Sequence, residues 1–142
     1  MRVVLDTNVL LVSISDRSPY HLLFKSFLSG QYTLCVTTEL LDEYAEIIAT
    51  HANPVLANAI LEVIENAKNV VFITRYFAFD LIKVDPDDNK FVDCAIASNA
   101  DFIVTNDSHF NVLKTIPFPQ VNVVSISVFM DVLRQLPTSS PT

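Results

Sequence analysis

With 142 residues, 51% hydrophobic and only 18% charged, the chain has the size and apolar content of one packed domain. A net charge of −7 argues against a broad basic surface for nucleic acid, though not against a nuclease that grips its substrate locally through a metal. The single glycine, Gly30, excludes the glycine-rich phosphate cradles of dinucleotide-binding and P-loop proteins.

In chain order, the apolar run RVVLD (2–6) predicts a strand, followed by helical periods over 8–14 and 19–29. YTLCV (32–36) predicts a second strand and leads into helices over 37–50 and 54–67. VVFIT (70–74), a helix over 88–99, DFIVT (101–105), a helix over 108–114, NVVSI (122–126) and a helix over 127–135 complete the pattern. Short β-branched runs alternating with helical segments predict an α/β fold, a three-layer α/β/α sandwich on a mainly parallel central sheet. One domain over 1–136 is expected, with a flexible tail over 137–142. The order of strands in the sheet is not readable from this pattern.

No apolar stretch reaches the roughly 18 uncharged residues of a membrane span, and the first residues lack the long apolar region of a signal peptide, so the expected location is the cytoplasm. Cys35 and Cys94 stand far apart in apolar surroundings and read as buried free thiols.

The carboxylates differ in where they fall on these elements. Asp6 ends the first strand run and Asp107, in NDSHF, follows the fourth; in open parallel sheets, ligands bind beyond the carboxyl ends of strands. Either one alone reads as a helix N-cap. In TTELLDEYAEII, Leu40, Leu41, Tyr44, Ile47 and Ile48 form an apolar stripe, with Glu39, Asp42 and Glu46 on the far side. Glu43 is the acid nearest the stripe's edge, where it could reach into a cleft; an ordinary charged helix face is the plainer reading. In DPDDNKFVDCAIA, Asp85 before Pro86 reads as an N-cap. Asp88 shares the face of Phe91, Val92 and Ala95, whereas Asp93 projects to the opposite side. Closing a capping box is the plain role for Asp88, but an inward-facing acid needs a partner or a metal.

Were Asp6, Glu43, Asp88 and Asp107 to meet, their charges would repel, and a divalent cation would relieve the conflict. Oxygen donors without histidine or cysteine at ligand spacing favour Mg²⁺ or Mn²⁺ over zinc. Water held by such an ion is a nucleophile suited to hydrolysing a phosphodiester.

The order of LDTN, ELLDEY, DPDDNKFVDCAIA and DFIVTND resembles the PIN-domain nucleases, specifically the toxin components of toxin–antitoxin pairs, from Arg2 to about Leu133. The resemblance implies a three-layer fold and metal-dependent endoribonuclease activity on single-stranded or structured RNA. It carries the catalytic acids onto Asp6, Glu43, Asp88 and Asp107. Asp6, Asp88 and Asp107 would bind Mg²⁺ or Mn²⁺, with Glu43 acting through water or helping to activate the attacking hydroxide. In-line attack would leave a 5′-phosphate and a 3′-hydroxyl. Thr7, Asn8, Thr105 and Asn106 would orient the ligands and hold water, although capping and turn formation explain Asn106 equally well. Asn89 stands where related sequences often carry a further acid, leaving one or two ions open. An antitoxin partner and a homodimer or higher oligomer are also implied, with YHLLFKSFL and VLANAILEVI as candidate surfaces, though core packing accounts for most of their apolar residues. No membrane partner is expected.

Other readings compete. Lys90 and Arg17 could contact the RNA backbone, but a solvated surface is the simpler place for both, and His21, His51 and His109 read as surface or structural. A haloacid dehalogenase-type phosphatase needs an Asp two residues after Asp6, where Asn8 stands. A phosphoacceptor receiver domain needs an Asp ending its third strand and a Lys after its fifth, but the chain has Thr74 and Ser127. A non-catalytic α/β interaction module, or degenerate nuclease, would use the acids as caps.

Overall fold

The computed structural model describes residues 1–137, so the expected flexible tail, 137–142, lies outside the described residues save for Pro137. Five strands, β1 (Arg2–Leu5), β2 (Thr33–Val36), β3 (Val70–Phe72), β4 (Phe102–Val104) and β5 (Val123–Val124), form one sheet in the order β3-β2-β1-β4-β5. Every pairing is parallel, so the sheet is wholly rather than mainly parallel. The helices are α1 (Thr7–Ser13), α2 (His21–Leu28), α3 (Thr38–His51), α4 (Pro54–Asn66), α5 (Asn89–Ser98) and α6 (Ile126–Gln135), with 3₁₀ turns at Pro86–Asp88 and Ser108–Thr115. The expected α-helix over 108–114 is therefore the second of these 3₁₀ segments.

Val3, Val4 and Leu5 of β1 and Leu34, Cys35 and Val36 of β2 are all fully or almost fully buried. Successive strand side chains point to opposite faces, so burial of all six requires cover on both sides of the sheet. That is the three-layer sandwich. Cys35 and Cys94 are buried and free, as expected. Among the described residues, no helix is long and apolar enough to cross a membrane.

The chain moves outward from β1 through β2 to β3, then returns to the other side of β1 to lay down β4 and β5. The order thus reverses between β1 and β4, and that switch point is where an open parallel sheet leaves a crevice at its carboxyl edge. β1 and β4 end level: Leu5 pairs with Val104, and the Asp6 amide donates to the Val104 carbonyl at 3.0 Å.

One long-range bond holds α3 against this edge, and a second set of bonds holds an irregular segment against α5. The Tyr44 hydroxyl of α3, fully buried, donates at 2.6 Å to the carbonyl of Leu5, the last residue of β1. Leu40, Tyr44 and Ile48 are the buried part of the α3 stripe, while Leu41 and Ile47 lie at its half-buried margin. On the other side, the segment over 73–85 has neither helix nor strand and lies along α5. Its backbone polar groups need partners, and α5 supplies them. Asn89 accepts from the Ile82 amide and donates to the Ile82 carbonyl, each at 2.9 Å. Asp93 accepts from the Phe79 amide at 3.1 Å and is 5% exposed. Helical spacing correctly put Asp93 away from Asp88, but that opposite face is covered by chain rather than by water.

Replacing Asn89 by Leu would leave both buried Ile82 backbone groups unpaired, an expected loss of about 2–4 kcal/mol in urea unfolding. An unchanged midpoint would mean that apolar contacts alone hold the 73–85 segment.

Candidate active site

Asp6 occupies the N-cap position of α1, yet its side chain makes no capping hydrogen bond; the Asn8 amide is close enough to favour its charge without meeting hydrogen-bond geometry. Instead, Asp6 Oδ2 accepts from the Thr105 hydroxyl at 2.7 Å, across the β1–β4 junction. The same hydroxyl oxygen accepts from the Asp107 amide at 3.0 Å. One threonine thereby fixes the position of both acids. Asp107 does cap, its Oδ1 accepting from the His109 amide at 2.9 Å and starting the 3₁₀ segment Ser108–Thr115.

Glu43 reaches the edge from α3. Its Oε2 accepts from the Thr7 hydroxyl, and the Lys90 ammonium lies 2.5 Å from its Oε1. Asp88 arrives on the turn before α5, where Asp85 accepts from the Asp87 amide at 3.2 Å and Pro86 opens the turn, the expected N-cap arrangement. Asp88 Oδ2 is buried and has no hydrogen-bond partner among the described residues.

The electrostatics show that these acids feel one another. Burial raises the Asp6 pKa; Thr105 and the Asn8 amide oppose this, and the charges of Asp107 and Glu43 raise it further. Asp88 is pushed up to about 6, first by burial, then by Asp85, Asp107 and Asp6, with His109 opposing. Lys90 loses solvation, which works against its charge, but the hydrogen bond and charge of Glu43 outweigh that and raise its pKa. Asp6, Glu43, Asp88 and Asp107 therefore gather at one edge from four separate parts of the chain.

Of the surrounding polar residues, Thr7 and Thr105 bond the carboxylates directly. Asn8 is exposed and, with Asp6, Asn106 and Asp107, lines a cleft of about 370 Å³. Asn106 uses Oδ1 to accept from the Ile126 amide at 3.0 Å, tying the end of β4 to the start of α6, whose N-cap is Ser125. A larger hollow of about 610 Å³ between Phe102, Lys114 and Val123 has no carboxylate in its lining, so size does not select the site.

Three residues take places that spacing did not give them. Lys90 is neither solvated nor free for RNA, but paired with Glu43. His109 is not a mere surface residue: its Nδ1 lies 3.5 Å from both Asp88 Oδ2 and Asp107 Oδ1. Asp85 joins it, since Asp85, Asp88 and His109 can bring one ligand atom each within 4.8 Å of one another. The signal for His109 was its place two residues after an acid that caps; the signal for Lys90 was its place two residues after Asp88. His21 and His51 do serve local structure, each ring Nδ1 lying at 2.9 and 3.0 Å from the carbonyls of Ser13 and Ile47.

A PIN-domain family profile matches residues 2–109 of this chain. The chain belongs to the PIN-domain family. PIN domains are nucleases, so phosphodiester hydrolysis displaces the phosphatase and receiver readings. Among solved structures, a chain in the crystal structure of VapBC2 from Rickettsia felis bound to a DNA fragment from their promoter shares the PIN fold. It is 17% identical, with a TM-score of 0.58 covering 88% of this chain and 98% of that one. Among curated proteins, no sequence matches this PIN domain.

The pKa shifts give a signed prediction. Asp88 titrates near 6 when folded against 3.8 ordinarily, so between those values the folded state holds more protons. Stability conferred by this group therefore falls as pH rises through that window, and the raised Asp6 and Asp93 act in the same direction. In EDTA, the protein should melt higher near about pH 5 than near about pH 7, with D88N narrowing the difference. A D88N protein with the full wild-type pH dependence would show that folding does not raise the Asp88 pKa.

Proposed function

We propose that this PIN domain is a metal-dependent endoribonuclease, the toxin of a toxin–antitoxin pair. The observation that carries the reading is the shared location of Asp6, Glu43, Asp88 and Asp107 at the carboxyl edge of the sheet's switch point, with Asp88 Oδ2 buried and making no hydrogen bond, the His109 ring lying 3.5 Å away.

The oxygen donors suit a hard divalent cation in their chemistry, although the residues whose ligand atoms lie within 4.8 Å of one another are Asp85, Asp88 and His109. Carboxylates raised in pKa by burial and by one another are groups that a cation would hold ionised. Asp6, Asp88 and Asp107 would hold Mg²⁺ or Mn²⁺, both of which take oxygen ligands. When bound, the ion supplies a water of lowered pKa and neutralises charge on the phosphate. Thr105 sets the orientation of Asp6 and the Asp107 backbone. Glu43, anchored by Thr7 and Lys90, acts through water rather than as a direct ligand, because donors already meet both of its oxygens. Asn8 and Asn106 line the approach to the cleft.

RNA is the proposed substrate. With a net charge of −7, substrate grip would come from the metal rather than from a basic surface. The antitoxin reading is supported by likeness to a chain of the VapBC2 structure. An antitoxin that blocks the acidic cleft would present a cation to it. Leu28, Val55 and Val63, exposed on α2 and α4, offer apolar area for a homodimer or higher oligomer, while Leu23, Phe27, Ile60 and Ile64 are spent in the core. The cytoplasm, where RNA is met, is the proposed location.

Millimolar Mn²⁺ should raise the wild-type melting temperature, by the equivalent of about 2.7 kcal/mol at a hundredfold excess over Kd, and leave D6N unmoved. D6N should fold, since Asn retains an acceptor for Thr105, and should lose RNA cleavage. Cleavage by D6N at the wild-type rate would refute the assignment.

A further inference from the structure

We propose that Lys90 is a tethered cation that takes the place of a second divalent ion, so that this site binds one ion only. The inference rests on the metal-dependent reading above and deepens it.

Four carboxylates share the edge and influence one another's charge, and one divalent ion would leave two of their charges uncompensated. Near a protein surface, unit charges a few ångströms apart interact by several kcal/mol, so the remainder matters. The Lys90 ammonium takes one of those charges directly, 2.5 Å from Glu43 Oε1, with its side chain only 17% exposed and that of Glu43 27%. It is therefore a half-buried pair inside the site rather than a flexible surface contact. With the Thr7 hydroxyl on Oε2, both Glu43 oxygens are engaged, and neither is available to a second cation without displacing a partner.

The placement is rigid. Lys90 belongs to the first turn of α5, two residues beyond Asp88 on the 3₁₀ turn that leads into it, so one short stretch delivers both a site acid and the cation that neutralises Glu43. Asn89 between them is committed to the Ile82 backbone through both ends of its amide. That residue therefore offers no oxygen to another ion. Lys90 is a positioning residue: it holds Glu43 at the edge and sets the charge that the metal must balance.

Calorimetric titration with Mn²⁺ in the absence of RNA tests this by stoichiometry, a readout that a merely structural lysine would not move. Wild type and K90R should bind one ion. K90M should bind two, the second replacing the lost charge. The double variant E43Q/K90M, which removes the carboxylate along with its cation, should return to one. K90Q, which keeps a donor for Glu43 without the charge, carries the same expectation as K90M and serves should K90M fail to fold by circular dichroism. One ion bound by folded K90M or K90Q, or two bound by wild type, would overturn the role of Lys90 while leaving the metal site standing. No Mn²⁺ bound by wild type would remove the metal reading and this inference together.

Discussion

Carboxylates crowded at one end of a parallel sheet repel one another, and much of the surrounding structure answers that repulsion. Asp6 is nearly buried and feels both Asp107 and Glu43; Asp88 feels Asp107 and Asp6 and is held up to about 6. A protein gains nothing in stability from such an arrangement, since each buried charge costs free energy unless it is paired. The compensations present are partial. Thr105 gives Asp6 one hydrogen bond, Thr7 and Lys90 engage Glu43, and Asp88 Oδ2 makes no hydrogen bond, with only the His109 ring 3.5 Å away. The uncompensated remainder is what a cation would relieve.

What brings the acids together is the sheet order. Because β4 lies beside β1 and pairs with it in register, Asp6 and Thr105 emerge side by side although they are 99 residues apart. α3 reaches the same edge through the Tyr44 bond to Leu5, which seats the neighbouring Glu43 beside the end of β1. α5 packs on β1, β2 and β4, with Lys90 in its first turn and Asp88 on the 3₁₀ turn just before it. The site is thus a property of the packing among β1, β4, α3 and α5. A change that slipped any one of them would separate the acids without touching them.

The fold was legible in the sequence because its strands are apolar and rich in β-branched residues, the apolar residues of β1 and β2 fully buried, and because its helices keep a clear apolar stripe, as in Leu40, Tyr44 and Ile48 of α3. Each of the four acids was a candidate because it lies at a strand end or at the margin of an apolar face, but each alone read as a cap or a charged face, and the family resemblance was what joined them. Sheet order was not, because strand adjacency is fixed by contacts between residues far apart, which local periodicity does not encode. The partners of Asp93, Asn89, Lys90 and His109 were hidden likewise. Asp93 has helical phase toward solvent, but a segment without regular structure covers it, and such a segment has no period to read. Lys90 has the composition of a surface residue and the position of a site residue, and only the arrival of Glu43 from α3 distinguishes them.

The central claim is that Asp6, Asp88 and Asp107 share a divalent ion at the β1–β4 switch point. Anomalous diffraction from crystals grown with Mn²⁺ tests it most directly. The account predicts one peak in contact with these three carboxylates, with Glu43 outside direct contact and still beside Lys90. A peak between Asp85, Asp88 and His109, or none at the sheet edge, would contradict it.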